Sequence, residues 1–123
     1  MTNVCLVTGA AGFIGSNLVD YLLDKGYSVV CVDNESANNE KFHWAHENGM
    51  AINVKADITD YKSMKNIITN VDYVFHLAAE SRLQSAIQNP IEAVQKNCVG
   101  TTVMLQCARE AGVKRFVYSS TSS

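Results

Sequence analysis

Thr8-Gly9-Ala10-Ala11-Gly12-Phe13-Ile14-Gly15 is the stretch on which the reading of this chain turns. Its glycines are spaced G-x-x-G-x-x-G. Before it runs Val4-Cys5-Leu6-Val7, a continuous apolar stretch of strand length. After it, Phe13, Ile14, Leu18, Tyr21 and Leu22 recur at helical spacing, and Gly26 closes that helix as a C-cap would. A glycine loop between a strand and a helix has a physical purpose. Gly9 permits a tight turn, Gly12 lets backbone approach a pyrophosphate, and Gly15 lets the helix lie close on the strand. The helix N-terminus offers N–H groups and a positive dipole end to the phosphates. A glycine-rich turn without a ligand would show the same spacing, so the rest of the chain has to decide.

Working outward, apolar runs and helical patterns alternate. Val29-Val30-Cys31-Val32 is a second strand-like run that ends at Asp33. Residues 34–49 are polar and read as loop, with a short helix through Trp44. Ala51-Ile52-Asn53-Val54 begins a third, weaker strand ending at Asp57, and Thr59 can cap a helix from Asp60 to about Thr69. Val71 to Leu77 is a fourth strand. Asn89-Pro90 starts a helix, with Asn as N-cap and Pro in the first helical position. Ile91, Val94, Cys98, Leu105 and Ala108 carry that helix to Gly112. Arg115-Phe116-Val117-Tyr118 is a fifth strand, running into Ser119-Ser120-Thr121-Ser122-Ser123. This β-α alternation implies parallel strands with helices on both faces, an α/β fold. Right-handed crossovers predict a doubly wound sheet in the order 3-2-1-4-5. The switch point then lies between strands 1 and 4, and ligands bind at the carboxyl ends there.

Asp33 gives that crevice a chemical preference. It ends the second strand, 18 residues after Gly15. An acidic side chain there accepts hydrogen bonds from the adenosine ribose hydroxyls and repels a 2′-phosphate, and the glycine loop holds no Arg or Lys to bind one. NAD is therefore favoured over NADP. A solvated turn residue is the plain alternative for Asp33.

Composition narrows the classes. The chain has 123 residues, the size of one domain, with 47% hydrophobic residues and a net charge of −2. That balance argues against a nucleic-acid or polybasic membrane binder. No apolar run approaches the roughly 18 residues that cross a bilayer. Met1-Thr2-Asn3 carries no basic region, which reads against a signal peptide. The four cysteines, Cys5, Cys31, Cys98 and Cys107, form no C-x-x-C pair and read as buried thiols in a reducing cytoplasm. His43, His46 and Glu47 lack a further ligand at supporting spacing, so no metal is expected.

Together these segments resemble the N-terminal part of an extended short-chain dehydrogenase/reductase, in the nucleotide-sugar epimerase/dehydratase branch. The resemblance rests on the Thr-Gly-x-x-Gly-Phe-Ile-Gly loop, Asp33-Asn34, Asp57-Ile58, His76-Leu77-Ala78-Ala79, Asn97-x-x-Gly100-Thr101 and Tyr118-Ser119-Ser120-Thr121. Its closest-looking members are UDP-glucose 4-epimerases and related UDP-N-acetylhexosamine epimerases. The resemblance implies a Rossmann-type NAD-binding domain over residues 1–123, truncated, with the C-terminal substrate domain absent. It implies that Phe13 and Ile14 cover the pyrophosphate with backbone and that Asp57 and Ile58 flank the adenine. Asp33-Asn34 would meet the adenosine ribose. Ala78 and Ala79, small residues, would leave room for the nicotinamide ribose, Leu77 before them would belong to the cofactor site, and Asn97 would brace the loop after strand four. Singly, Asp57 also reads as a turn cap and Asn97 as a polar residue on a partly exposed helix. Thr121, or next to it Ser122, would hydrogen-bond the sugar 4-oxygen and stabilise charge there as hydride leaves. Arg82, beyond Ala79, reads equally as a substrate contact or a surface charge.

The family's catalytic Tyr-x-x-x-Lys should follow the serine segment by about two dozen residues, beyond Ser123. The Tyr61–Lys65 pair has that spacing but lies on the helix after strand three, away from the active-site edge, and reads as chance. Full-length relatives oxidise a nucleotide sugar at C4, rotate the 4-keto intermediate and return the hydride to the other face. The expectation is therefore an NAD-binding segment of such an epimerase, inactive by itself. A self-contained NAD-binding module and a dehydratase or reductase of the same family are the alternatives. The resemblance also implies homodimerisation or other self-association through the helix from Pro90 to about Ala111.

Overall fold

A computed structural model describes residues 3–34, 50–78 and 87–119 of the chain. Its strands are β1 (Val4–Thr8), β2 (Ser28–Asp33), β3 (Ala51–Lys55), β4 (Tyr73–His76) and β5 (Arg115–Tyr118). They form one sheet in the order β3-β2-β1-β4-β5, with every neighbouring pair parallel. This is the order that right-handed crossovers require of the alternation read from the sequence. The helices are α1 (Phe13–Asp24), α2 (Tyr61–Ile67), α3 (Pro90–Val94) and α4 (Gly100–Ala111).

The central strands are apolar on both faces because both faces are covered. Successive β1 side chains point to opposite sides. Leu6 joins Val32, Val74, Met64, Ile68, Met104 and Cys107 beneath α2 and α4. Cys5 and Val7 join Val29, Cys31, Val19 and Leu22 beneath α1. Each fully buried aliphatic side chain contributes roughly 1.5–3 kcal/mol. These two half-cores clamp β1 and hold its carboxyl end, where the glycine loop departs.

Helix ends follow local chemistry, with three departures from the sequence reading. Gly112 closes α4 at φ +73°, in the left-handed conformation that glycine adopts without strain. Asp60, not Thr59, caps α2: its side chain accepts from the Ser63 N–H, while Thr59 turns to Asp57. The helix expected to run unbroken from Pro90 to Ala111 is interrupted by a π turn over Gln95–Val99, where the Gly100 N–H donates to the Gln95 carbonyl five residues back. Finally, Cys5, Cys31 and Cys107 are buried as expected but Cys98, in the π turn, is exposed. Cys98 shares its helical stripe with Ile91, Val94 and Leu105, and that stripe faces outward.

Candidate dinucleotide site

The site begins where β1 ends. Gly9 turns the chain at φ +68°, and a Cβ there would stand 3.0 Å from the Ala78 backbone nitrogen, so the turn and the end of β4 nearly touch. The Ala10 N–H donates to the Val32 carbonyl at 3.2 Å, and the Gly12 N–H to the Gly9 carbonyl at 3.2 Å. Gly12 is the N-cap of α1 and has no side chain to occupy the first-turn N–H groups. At Gly15 a Cβ would lie 2.1 Å from the Gly9 carbonyl oxygen, so the first turn of α1 packs on the loop backbone itself. Phe13 and Ile14 stand 80% and 66% exposed at the helix start. Three glycines thus form a cradle, which Cβ atoms at Gly9 and Gly15 would crowd, at the N-terminus of a helix, and that is the surface an anionic pyrophosphate requires.

Asp33 is drawn into this loop. The Ala11 N–H donates to its Oδ2 at 3.0 Å, and its backbone carbonyl accepts from the Ala56 N–H at 3.1 Å. The carboxylate therefore sits against the glycine turn from the β2 side. The second bond fastens β3's end beside it. Asn34 follows, exposed. Beyond β3, Asp57 Oδ1 accepts from the Thr59 N–H at 2.9 Å and from its hydroxyl at 2.7 Å, so Asp57 does serve as a turn cap. Ile58 is 7% exposed and packs into the core beneath α4.

On the other side of the crevice, Thr8 and His76 are register partners in β1 and β4. The Leu77 and Ala78 N–H groups donate to Thr8 Oγ1 at 2.9 and 3.0 Å. Those two bonds use the hydroxyl's lone pairs, so its own proton goes to His76 Nδ1, 2.8 Å away. The imidazole is then the Nε2–H tautomer, and Nε2 donates to Thr101 Oγ1 at 2.9 Å. Burial pushes the His76 pKa down to about 4, which agrees with a neutral ring. Tyr118 stacks on the ring with centroids 5.8 Å apart. Loop, β4 end and α4 are thereby joined through one buried imidazole. Thr8, His76 and Thr101 stand within the sequence motifs, but their spacing assigns them no role. The available signal was a His and a Thr ending the two apolar runs that flank the switch point.

The structure brings Gly9, Gly12, Gly15, Asp33, Leu77 and Ala78 together. Asn97 lies half-buried in the π turn, and Asp57 and Ile58 lie past β3. Ala79, Arg82, Thr121 and Ser122, together with His43, His46 and Glu47, fall outside the described residues. Tyr61 and Lys65 are a surface pair on α2. Lys65 Nζ lies 5.8 Å from the ring centroid, and the hydroxyl donates to the Glu110 carboxylate, which raises the phenol's pKa. A catalytic tyrosine needs the opposite shift. The same spacing occurs at Tyr21–Lys25, at the end of α1, a pair that the expectation of no Tyr-x-x-x-Lys at Tyr21 missed; Lys25 Nζ lies 5.4 Å from the ring centroid. Among the described residues no group of three or more His, Cys, Asp or Glu is placed to hold a metal. No described helix is long and apolar enough to cross a membrane.

Sheet order, glycine turn and the acid closing β2 define a Rossmann-type α/β fold. The model of the NAD dependent epimerase/dehydratase family matches residues 5–123, and the chain belongs to that family. It is 40% identical over 118 residues to the UDP-glucose 4-epimerase of Mycolicibacterium smegmatis, covering 94% of this chain and 37% of that protein. It is 37% identical over 122 residues to the UDP-N-acetyl-alpha-D-glucosaminuronate decarboxylase of Bacillus cytotoxicus, covering 99% of this chain and 37% of that one. The UDP-glucose 4-epimerase of Thermotoga maritima, solved with UDP-glucose, superimposes with a TM-score of 0.86 at 38% identity, over 96% of this chain and 38% of that chain. The chain thus spans little more than a third of the length of these relatives.

Proposed function

We propose that this chain is the NAD-binding portion of a UDP-sugar 4-epimerase. The observation that carries the reading is the Ala11 N–H to Asp33 carboxylate bond at 3.0 Å, because it sets an acid against the glycine cradle at the sheet's switch point. Gly9, Gly12 and the start of α1 hold the pyrophosphate by backbone N–H groups. Asp33 and Asn34 take the adenosine ribose, Asp57 and Ile58 the adenine, and Leu77 with Ala78 and Ala79 the nicotinamide ribose. When bound, NAD supplies the hydride acceptor for oxidation of the sugar carbinol. Thr121, with Ser122 beside it, orients that carbinol by a hydrogen bond to the sugar 4-oxygen. Neither Tyr61–Lys65 nor Tyr21–Lys25 lies at the crevice to take the carbinol proton, so on this reading the 123 residues bind cofactor and turn over no sugar.

The free cysteines suit a reducing cytoplasm, which is the setting proposed for the protein. A second reading has one observation in its favour. The decarboxylase relative is 37% identical, close to the 40% of the epimerase, so these residues suit either enzyme of UDP-sugars.

Calorimetric titration of the chain with NAD and with NADP tests the proposal. Saturable NAD binding is expected, with NADP at least about tenfold weaker because the Asp33 carboxylate repels its 2′-phosphate. Absence of NAD binding overturns the cofactor assignment. Turnover of UDP-galactose by the purified chain overturns the reading that these residues turn over no sugar.

A further inference from the structure

Gly100 opens α4 with φ −58° and ψ −46°, an ordinary right-handed helical conformation. Nothing in its backbone calls for glycine, and alanine is the better helix former there. The reason for glycine lies across the interface with the β3 end. A Cβ on Gly100 would stand 2.4 Å from Ile58 Cδ1 and 2.8 Å from Ile58 Cγ1. Its next neighbour is the Gln95 carbonyl oxygen at 3.6 Å, an ordinary contact. The Ile58 side chain is thus what a side chain at position 100 would have to move. The π turn over Gln95–Val99 immediately precedes it.

Ile58 has little room to yield. It belongs to the core cluster of Leu6, Val32, Met64 and Met104, each fully buried, and close-packed interiors do not absorb an extra methyl. It follows Asp57 just past the carboxyl end of β3, on the edge of the sheet where the adenine is placed above. We propose that Gly100 is a positioning residue for the adenine end of the cofactor site: by carrying no Cβ, it lets Ile58 lie back against α4 and keeps the adenine wall open. This rests on the reading of Asp57 and Ile58 as the adenine subsite.

The test uses the 123-residue chain and three variants, Gly100→Ala, Ile58→Val and the two combined. Ile58→Val deletes Cδ1, the atom nearest the added Cβ, and the shortened side chain, whose Cγ1 would still meet that Cβ at 2.8 Å, can turn about χ1 into the space that Cδ1 leaves. ADP serves as the probe of the adenine half, titrated calorimetrically beside NAD, with thermal unfolding recorded for each protein. Gly100→Ala is expected to weaken ADP and NAD alike by about tenfold, the effect of a misplaced methyl in a packed wall. Combination with Ile58→Val is expected to restore affinity to within about threefold of Ile58→Val alone. A role confined to stability would move the unfolding temperature and leave ADP affinity of the folded protein unchanged, and that result overturns the proposal. Should Gly100→Ala fold poorly, the double variant decides: folded and binding like Ile58→Val it supports the proposal, folded without that affinity it overturns it. Failure of the parent chain to bind either NAD or ADP overturns the cofactor reading itself, whereas parental binding with an indifferent Gly100→Ala overturns the role of Gly100 alone.

Discussion

His76 is a buried imidazole whose two nitrogens are committed to different partners, Thr8 and Thr101. A proton added to Nδ1 would face the Thr8 hydroxyl, whose lone pairs already serve the Leu77 and Ala78 N–H groups. Burial alone moves the pKa from 6.5 down to about 4. The unfolded chain therefore takes up a proton first as pH falls, and stability is lost between about pH 6.5 and pH 4. From pH 7 to pH 5 the loss from this group comes to about 2 kcal/mol. Urea unfolding at those two pH values checks it against His76→Gln, in which the loss should be largely absent; an equal loss in both proteins refutes the assignment. Asp33 carries a second prediction at this scale. Asp33→Asn keeps the shape but removes the charge that the proposed function assigns to the ribose. NAD affinity is expected to fall about tenfold, as for a lost charge-assisted hydrogen bond, and preference over NADP to narrow. Paired calorimetric titrations would show it, and unchanged selectivity would count against Asp33 as the discriminating residue. Asp33 was legible from its place at the end of an apolar run. The Thr8–His76–Thr101 chain was not, because it depends on strand register and on the depth of a helix, which no spacing along one segment records.

Elements differ in how plainly the sequence announces them. β1, β2 and the glycine loop are legible because a short apolar run, three spaced glycines and a helical stripe agree with one another. The π turn is not. Ile91, Val94, Cys98 and Leu105 satisfy a helical period whether one turn holds four or five residues, yet Ile91, Val94 and Leu105 stand 76%, 55% and 49% exposed. The cap of α2 was misplaced by one residue because Thr59 and Asp60 both have capping side chains, and only the turn at Asp57 assigns Thr59 elsewhere. The loop-to-α1 junction gives a prediction that separates folding from binding. Gly15→Ala places a Cβ 2.1 Å from a backbone oxygen, so α1 must pull away from the loop, at a cost of about 2–4 kcal/mol. Gly12→Ala meets the same oxygen at 3.4 Å, where a small shift suffices. Chemical denaturation should find the Gly12 variant near the parent in stability and the Gly15 variant far below it. NAD affinity should nonetheless fall in both, since the proposed function has the pyrophosphate approach at position 12. A Gly15 variant as stable as the parent would refute the close packing of helix on loop.

At the scale of the whole molecule, burial is uneven. The sheet is packed on both faces around β1, yet along β5 only Phe116 is partly buried, and Val117 and Tyr118 are 45% and 50% exposed. Ile87, Ile91 and Val94 lie exposed on the segment leading through α3, and Leu105 on α4. Exposed apolar surface gathered on one stretch of a small domain is removed from water most readily by a second copy of the same surface. We expect the chain to self-associate as protein concentration rises. Sedimentation should then report masses above the 13.5 kDa of one chain. Hydrophobic association should persist in salt that screens charge. Ile91→Lys together with Leu105→Glu should restore the single-chain mass. Both residues lie outside the glycine cradle, so NAD affinity should be unchanged in the double variant. A strictly monomeric profile for the parent chain at high concentration would refute the expectation, and loss of NAD binding on restoring the monomer would show that association helps to build the site.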